Sequence, residues 1–343
     1  MKKLLILIIL IMLITSLSVS AAEITDMRDR NVTVPDNVTS IIGINSGTLR
    51  LLVYLQATDL LIGIEEMFAR GGRPYTFAHP ELLKLPTIGL RGNDPEAIAA
   101  LNPEVIFTTY MNESRIADNM QNKTGSAVVC IDYGDLDNNI KTFFAALRLM
   151  GEVLNKEDRV EEVITFFEDT IKDLDDRTKN NKSKETVYVG GVSQRGSHGI
   201  DSTEPDYAPF AFVNANNVAS SVEAEHAYID PEQLLIWNAD KIFIDYNGYN
   251  LVMEDFKNKP VLKLMKAVRN DELYFVLPYN WYTTNYGTVL ANAYYIGKVL
   301  YPDSFADIDP GKKADEIYEF LVGKPVYDEM IQLYGPFGKA ALE

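Results

Sequence analysis

The sequence is poor in the residues that usually carry covalent or metal chemistry. It has one cysteine, Cys130, and three histidines, His79, His198 and His226. A single cysteine rules out a disulfide framework within the chain. Its setting, Ala127-Val128-Val129-Cys130-Ile131, reads as a buried strand with a structural thiol. With so few histidines and no HExxH or CxxC spacing, a metal cage built by the protein itself is not supported. Also missing are a GxSxG elbow, a phosphate-cradling glycine loop with lysine, and a dinucleotide fingerprint. Paired carboxylates are common, but 49 acidic residues produce them by chance. Enzyme readings of the chain are therefore weak. Cationic residues are the minority, 32 against 49 acidic ones, for a formal charge of −17. That balance argues against nucleic acid or an anionic membrane as partner.

Long hydrophobic runs are absent except at the N-terminus. Lys2 and Lys3 precede an apolar stretch over residues 4–14, and Ser20-Ala21-Ala22 offers small residues for cleavage. This is the layout of a secretory signal over residues 1–22. The stretch is shorter than the ~20 residues needed to span a bilayer. The alternative is an uncleaved N-terminal tether. Either way the chain is expected outside the cytoplasm, in the periplasm or at the cell surface.

Hydrophobic residues make up 47% of the chain, enough for substantial cores. Short apolar runs at 41–44, 60–64, 104–108 and 127–131 read as strands separated by helical patterns. After residue 184 the alternation resumes, with strands at 186–190, 241–245 and 273–277. Strands alternating with helices predict βαβ units and mainly parallel sheets. Between the two series, residues 138–180 follow helical spacing, broken near Gly151 and Asn155. The organisation expected is an N-terminal lobe over 23–156, a connecting helix over 157–183 and a C-terminal lobe over 184–343.

One unit occurs twice. Asp94-Pro95-Glu96 leads through Asn102 to Ile106, and Asp230-Pro231-Glu232 leads through Asn238 to Ile242, at the same spacings. Asp caps a helix, Pro suits its first position, Glu favours its positive end, and Asn closes the turn into a strand. Matched copies on either side of a long helix suggest two lobes of one design.

These segments give the sequence a family likeness. Residues 24–35, Ile-Thr-Asp-Met-Arg-Asp-Arg-Asn-Val-Thr-Val-Pro, look like an opening strand pair, with Asp29 where glycine is usual. Leu85-Pro86-Thr87-Ile88-Gly89, Asp94-Pro95-Glu96-Ala97-Ile98 and Leu101-Asn102-Pro103-Glu104-Val105-Ile106 follow in order. In this the chain resembles the iron-siderophore and cobalamin class of binding proteins that serve ABC importers. The resemblance implies two Rossmann-like α/β lobes joined by a long rigid helix, with ligand in the cleft between them and little closure on binding. It also implies that Glu96 and Glu232 dock with arginines of an ABC permease, which works with its ATPase. On a purely local reading both glutamates complement helix dipoles.

Loops that follow strands should face such a cleft. They supply Arg70, Arg73 and Arg195 as clamps for anionic groups, because guanidinium forms paired hydrogen bonds. They also supply Tyr110, Tyr207, Trp281, Tyr282 and Tyr286 as aromatic surfaces with polar tips. His198, in a glycine-rich loop, is a candidate for ligating a metal or hydrogen-bonding a chelate. The expected cargo is an iron-siderophore-type metal chelate, with cobalamin or another corrinoid as alternative. The metal would arrive inside its chelator, so no resident cofactor is expected, and the receptor should be a monomer. The rival reading from another class is an extracellular chelate-sensing module without a permease.

Overall fold

The computed structural model describes residues 20–181 and 184–340. The expected export signal thus lies outside the described residues, apart from its last three. Of these, Ala21 and Ala22 begin β1 (Ala21–Thr25), which pairs antiparallel with β2 (Asn31–Pro35).

The first lobe is built on a three-stranded parallel sheet of β3 (Ile41–Ile44), β4 (Val105–Thr108) and β5 (Ala127–Cys130), in that order. β3 and β4 are buried along their whole length, as expected of parallel strands covered by helices on both faces. Cys130 ends β5, and burial pushes its thiol up to about 12, so it is an inert core residue. The strand expected over 60–64 is reduced to isolated bridges, Leu61 to Ile41 and Ile64 to Thr87. A single helical turn over Thr58–Leu60 takes up the start of that run.

The second lobe carries β6 (Thr186–Gly190), β7 (Ser202–Thr203), β8 (Asn216–Asn217), β9 (Ala227–Tyr228), β10 (Lys241–Asp245), β11 (Leu273–Val276) and β12 (Gly338–Lys339). Its main sheet runs β12-β11-β10-β6-β8, parallel except for β12, while β7 and β9 form a separate antiparallel pair.

The repeated unit folds as a helix leading into a strand in both lobes, Pro95–Leu101 into β4 and Pro231–Trp237 into β10. Asn102 and Asn238 both turn the chain in the left-handed region, with φ of 52° and 46°. The two caps differ. Asp94 accepts from the Ala97 amide at 2.9 Å, whereas Asp230 makes no side-chain cap and leaves the helix start to Pro231.

The helix Glu157–Thr178 joins the lobes. At 1.5 Å per residue, its 22 residues span about 33 Å. Val160, Val163, Ile164, Phe167 and Leu174 form its buried stripe. Phe167 meets Phe143 of the preceding helix edge-on at 5.2 Å and Tyr286 of the second lobe at 6.2 Å. One hydrophobic core therefore runs from the first lobe through this helix into the second. Further ties stiffen the junction: Arg159 donates to the Tyr54 and Phe320 carbonyls at 3.0 and 2.5 Å, and a His79 ring nitrogen bonds the Val322 carbonyl at 2.9 Å.

Candidate functional site

Loops at the carboxyl ends of the strands meet across a cleft of about 1000 Å³, near the upper end of small-molecule sites. From the first lobe come Asn45 and Ser46 after β3, Met67 and Arg70, Leu90 and Arg91, and Tyr110 after β4. The second lobe contributes residues 193–196 after β6, Asn247 after β10, and Asn280, Trp281, Tyr282 and Thr283 after β11. Among the described residues, the lining holds three arginines and no carboxylate, in a chain whose net charge is −17.

The 280–284 segment is held in place from the first lobe. Arg50, completely buried, donates to the Thr284 carbonyl at 2.7 Å, to the Tyr282 and Trp281 carbonyls at 3.3 and 3.4 Å, and to the Tyr133 hydroxyl. The Tyr282 hydroxyl donates to Glu65 at 2.8 Å, and the Tyr110 hydroxyl meets Thr283 Oγ1 at 2.9 Å. The guanidinium of Arg73 lies 4.2 Å from the Trp281 ring centroid, a cation–π contact. Tyr282 and Thr283 both adopt left-handed backbone, φ 48° and 62°, which is costly for a β-branched threonine. These side-chain bonds hold the unfavourable conformation.

Of the nine residues expected to hold ligand, five line the cleft: Arg70, Tyr110, Arg195, Trp281 and Tyr282. Arg73 does not reach its surface. It sits buried beneath Trp281, donating to the Gly71 carbonyl at 3.2 Å and the Tyr334 hydroxyl at 2.8 Å. Burial pulls its guanidinium down to about 10. His198 stands outside the lining; its Nε2 is 2.7 Å from the Gln194 carbonyl and 3.1 Å from the Tyr228 hydroxyl. Tyr207 and Tyr286 are core residues, at 1% and 0% exposure. Tyr207 packs on Phe210 and Tyr279. Tyr286 stacks on Tyr133 and donates to the Tyr133 and Gly134 carbonyls at 2.9 Å. Glu96 and Glu232 are both exposed in the first turns of their helices.

Sequence reasoning missed Arg91, Arg50 and Glu65. Arg91 lies in Gly89-Leu90-Arg91-Gly92, and the two glycines, at φ 85° and 68°, could have marked a tight loop presenting a side chain. Arg50 lies within an apolar helical run, Leu49 to Tyr54. A lone arginine in such a stretch is the available signal for a buried tie.

Two α/β lobes tied by a helix, with a roomy polar cleft between them, define a solute-capturing receptor. The chain belongs to the periplasmic binding protein family, whose model matches residues 80–279, and the family places it among exported proteins. Among curated relatives, the molybdate-binding protein MolA of Haemophilus influenzae is 26% identical over 335 residues, covering 90% of this chain and 93% of its own. The Fe(3+)-citrate-binding protein YfmC of Bacillus subtilis is 25% identical over 189 residues, covering 52% and 55%. Among solved structures, a periplasmic solute-binding protein of Veillonella parvula shares the fold at a TM-score of 0.71 and 16% identity, covering 92% of this chain and 97% of that one. No helix among the described residues is long and apolar enough to cross a membrane.

Proposed function

We propose that the cleft captures an anionic metal chelate of the ferric–carboxylate kind and hands it to an ABC permease and its ATPase. One observation carries this reading: Arg70, Arg91 and Arg195 line a cleft of about 1000 Å³ that has no acidic lining residue among the described residues. Guanidinium groups grip carboxylates in pairs, and Trp281, Tyr282 and Tyr110 add area with polar tips. A corrinoid, with a single phosphate, would leave most of this positive charge unanswered. A bare tetrahedral oxyanion is the second reading, favoured by the molybdate-binding relative that aligns along 90% of the chain. It would leave most of a cleft this size to water. In this proposal residues 1–22 are the export signal, the receptor is a monomer, and Glu96 and Glu232 address the permease.

Purified protein titrated with ferric citrate, sodium molybdate and cobalamin, followed by intrinsic fluorescence and melting temperature, tests the reading. Ferric citrate should saturate the signal. Arg70→Ala, Arg91→Ala and Arg195→Ala should each weaken its binding roughly ten- to hundredfold, the size of a charge-assisted hydrogen bond. A response to molybdate alone would favour the second reading, and a response to cobalamin alone or to no probe would overturn both.

A further inference from the structure

Behind the arginine-lined surface lie three carboxyl groups, each one hydrogen bond away from a residue that lines the cleft. In the first lobe, Glu65 accepts from the Asn45 amide at 2.6 Å and from the Tyr282 hydroxyl at 2.8 Å. In the second lobe, Asp245 ends β10 and accepts from the Asn247 amide at 2.8 Å. Glu204 is bonded to the Tyr279 hydroxyl and lies 3.5 Å from Asn280 Nδ2. Asn45, Tyr282, Asn247 and Asn280 all face the cleft.

Among the described residues, no cation is hydrogen-bonded to any of the three carboxyl groups, which is unusual for acids so poorly accessible. Glu65 and Asp245 are 2% and 0% exposed, and the Oδ2 of Asp245 has no hydrogen-bond partner among the described residues. Glu204 is partly accessible as a residue, with its carboxyl enclosed against Tyr279 and Asn280. The charged and titratable groups around Glu65 are Arg91, Tyr282 and Tyr75. Around Asp245 they are Arg73, Glu204, Tyr207, Tyr279 and Tyr334. Around Glu204 they are Tyr279, Tyr207, Asp245 and Glu225. Arg91 and Arg73 act on Glu65 and Asp245 only at longer range, so burial dominates, and it pushes each of the three carboxyls up to about 7.

We infer that Glu65, Glu204 and Asp245 form a proton-loading layer behind the cleft, so that the receptor takes up protons together with an anionic ligand and holds that ligand less tightly as pH rises. The inference rests on the anion-receptor reading above. An anion placed between the arginines raises the cost of ionising any carboxyl behind them. Each acid therefore draws a proton from solvent as the ligand enters, and its ionisation at higher pH works against binding. A carboxyl titrating near 7 in the free receptor and one pH unit higher beside the anion lowers affinity about fivefold between pH 6 and pH 8.

Calorimetric titration with ferric citrate, at pH 6, 7 and 8 and in two buffers of different ionisation heat, tests this directly. The expected result is net proton uptake near pH 7 and a severalfold loss of affinity by pH 8. Both should shrink in Glu65→Gln and Asp245→Asn and largely vanish when Glu204→Gln is added. The single variants keep the test open should the triple variant fold poorly. Binding without proton uptake, or uptake unchanged in the variants because the ligand itself titrates, would overturn the inference and leave the anion reading standing. No binding of ferric citrate or molybdate at any of these pH values would overturn that reading, and this inference with it.

Discussion

Arg50 is the residue whose loss should be felt most widely, because it is a first-lobe side chain holding a second-lobe loop. Two of its hydrogen bonds are strong, to the Thr284 carbonyl at 2.7 Å and to the Tyr133 hydroxyl; those to the Trp281 and Tyr282 carbonyls are longer. Two charge-assisted bonds at about 2 kcal/mol each give about 4 kcal/mol. Removing a buried charge returns roughly 1 kcal/mol. The acceptors are not all orphaned, since Thr284 keeps the Tyr133 hydroxyl at 2.8 Å and Trp281 keeps Asn285 Nδ2 at 3.3 Å. The net loss for Arg50→Met is therefore about 3 kcal/mol. Unfolding entropy of about 2.1 cal/mol/K per residue amounts to about 0.7 kcal/mol/K for a chain of about 320 residues, so the melting temperature should fall by about 4 °C. Met keeps most of the stem volume, which separates lost hydrogen bonds from lost packing. Thermal melts of the wild type, Arg50→Met and Arg50→Ala, read by circular dichroism, supply the measurement. If Arg50→Met melts within a degree of the wild type while Arg50→Ala does not, the guanidinium ties nothing and only its stem matters.

Asp245 gives stability its own pH dependence, separate from ligand binding. Burial raises its carboxyl from the ordinary 3.8 to about 7. Below pH ~4 folded and unfolded chains both hold the proton; between ~4 and ~7 only the folded chain does, so stability falls as pH rises through this window and then levels off. At pH 8 the deficit reaches up to about 4 kcal/mol, and Asp245→Asn should melt progressively higher than the wild type from pH 5 to pH 8. A constant difference across that range would contradict the burial argument. Charge reversal at the exposed pair, Glu96→Lys with Glu232→Lys, should abolish uptake in transport assays while leaving ligand affinity intact. Lost affinity in that double variant would make these residues part of the binding site.

The fold was legible because its signals are periodic and punctuated. Fully apolar runs such as Ile41–Ile44 become parallel strands, and the stripe from Val160 to Leu174 marks the connecting helix. The 60–64 run misled because its apolar residues make only isolated bridges, Leu61 to Ile41 of β3 and Ile64 to Thr87. The short β12 escaped because two residues, Gly338 and Lys339, carry no pattern. The cleft lining was legible in part, since the polar aromatic loop expected after a strand does bring Trp281 and Tyr282 to the cleft. Position along a loop does not reveal depth, however. Tyr286 lies four residues beyond Tyr282, yet it begins the Tyr286–Leu300 helix and points into the core. Glu65 and Arg50 owe their roles to partners 217 and 234 residues away, a relation that no local spacing encodes.

The placement of the two tryptophans has a practical side. Trp281 lies in the cleft against Arg73, while Trp237 packs near Tyr188 within the second lobe. Replacing Trp237 with phenylalanine would leave one indole, which lines the cleft and is in contact with a cation. Because the sole cysteine is buried in β5, an added surface thiol could be labelled alone. The protein thus offers a frame for an optical sensor, with an indole reporter already built into the cleft wall.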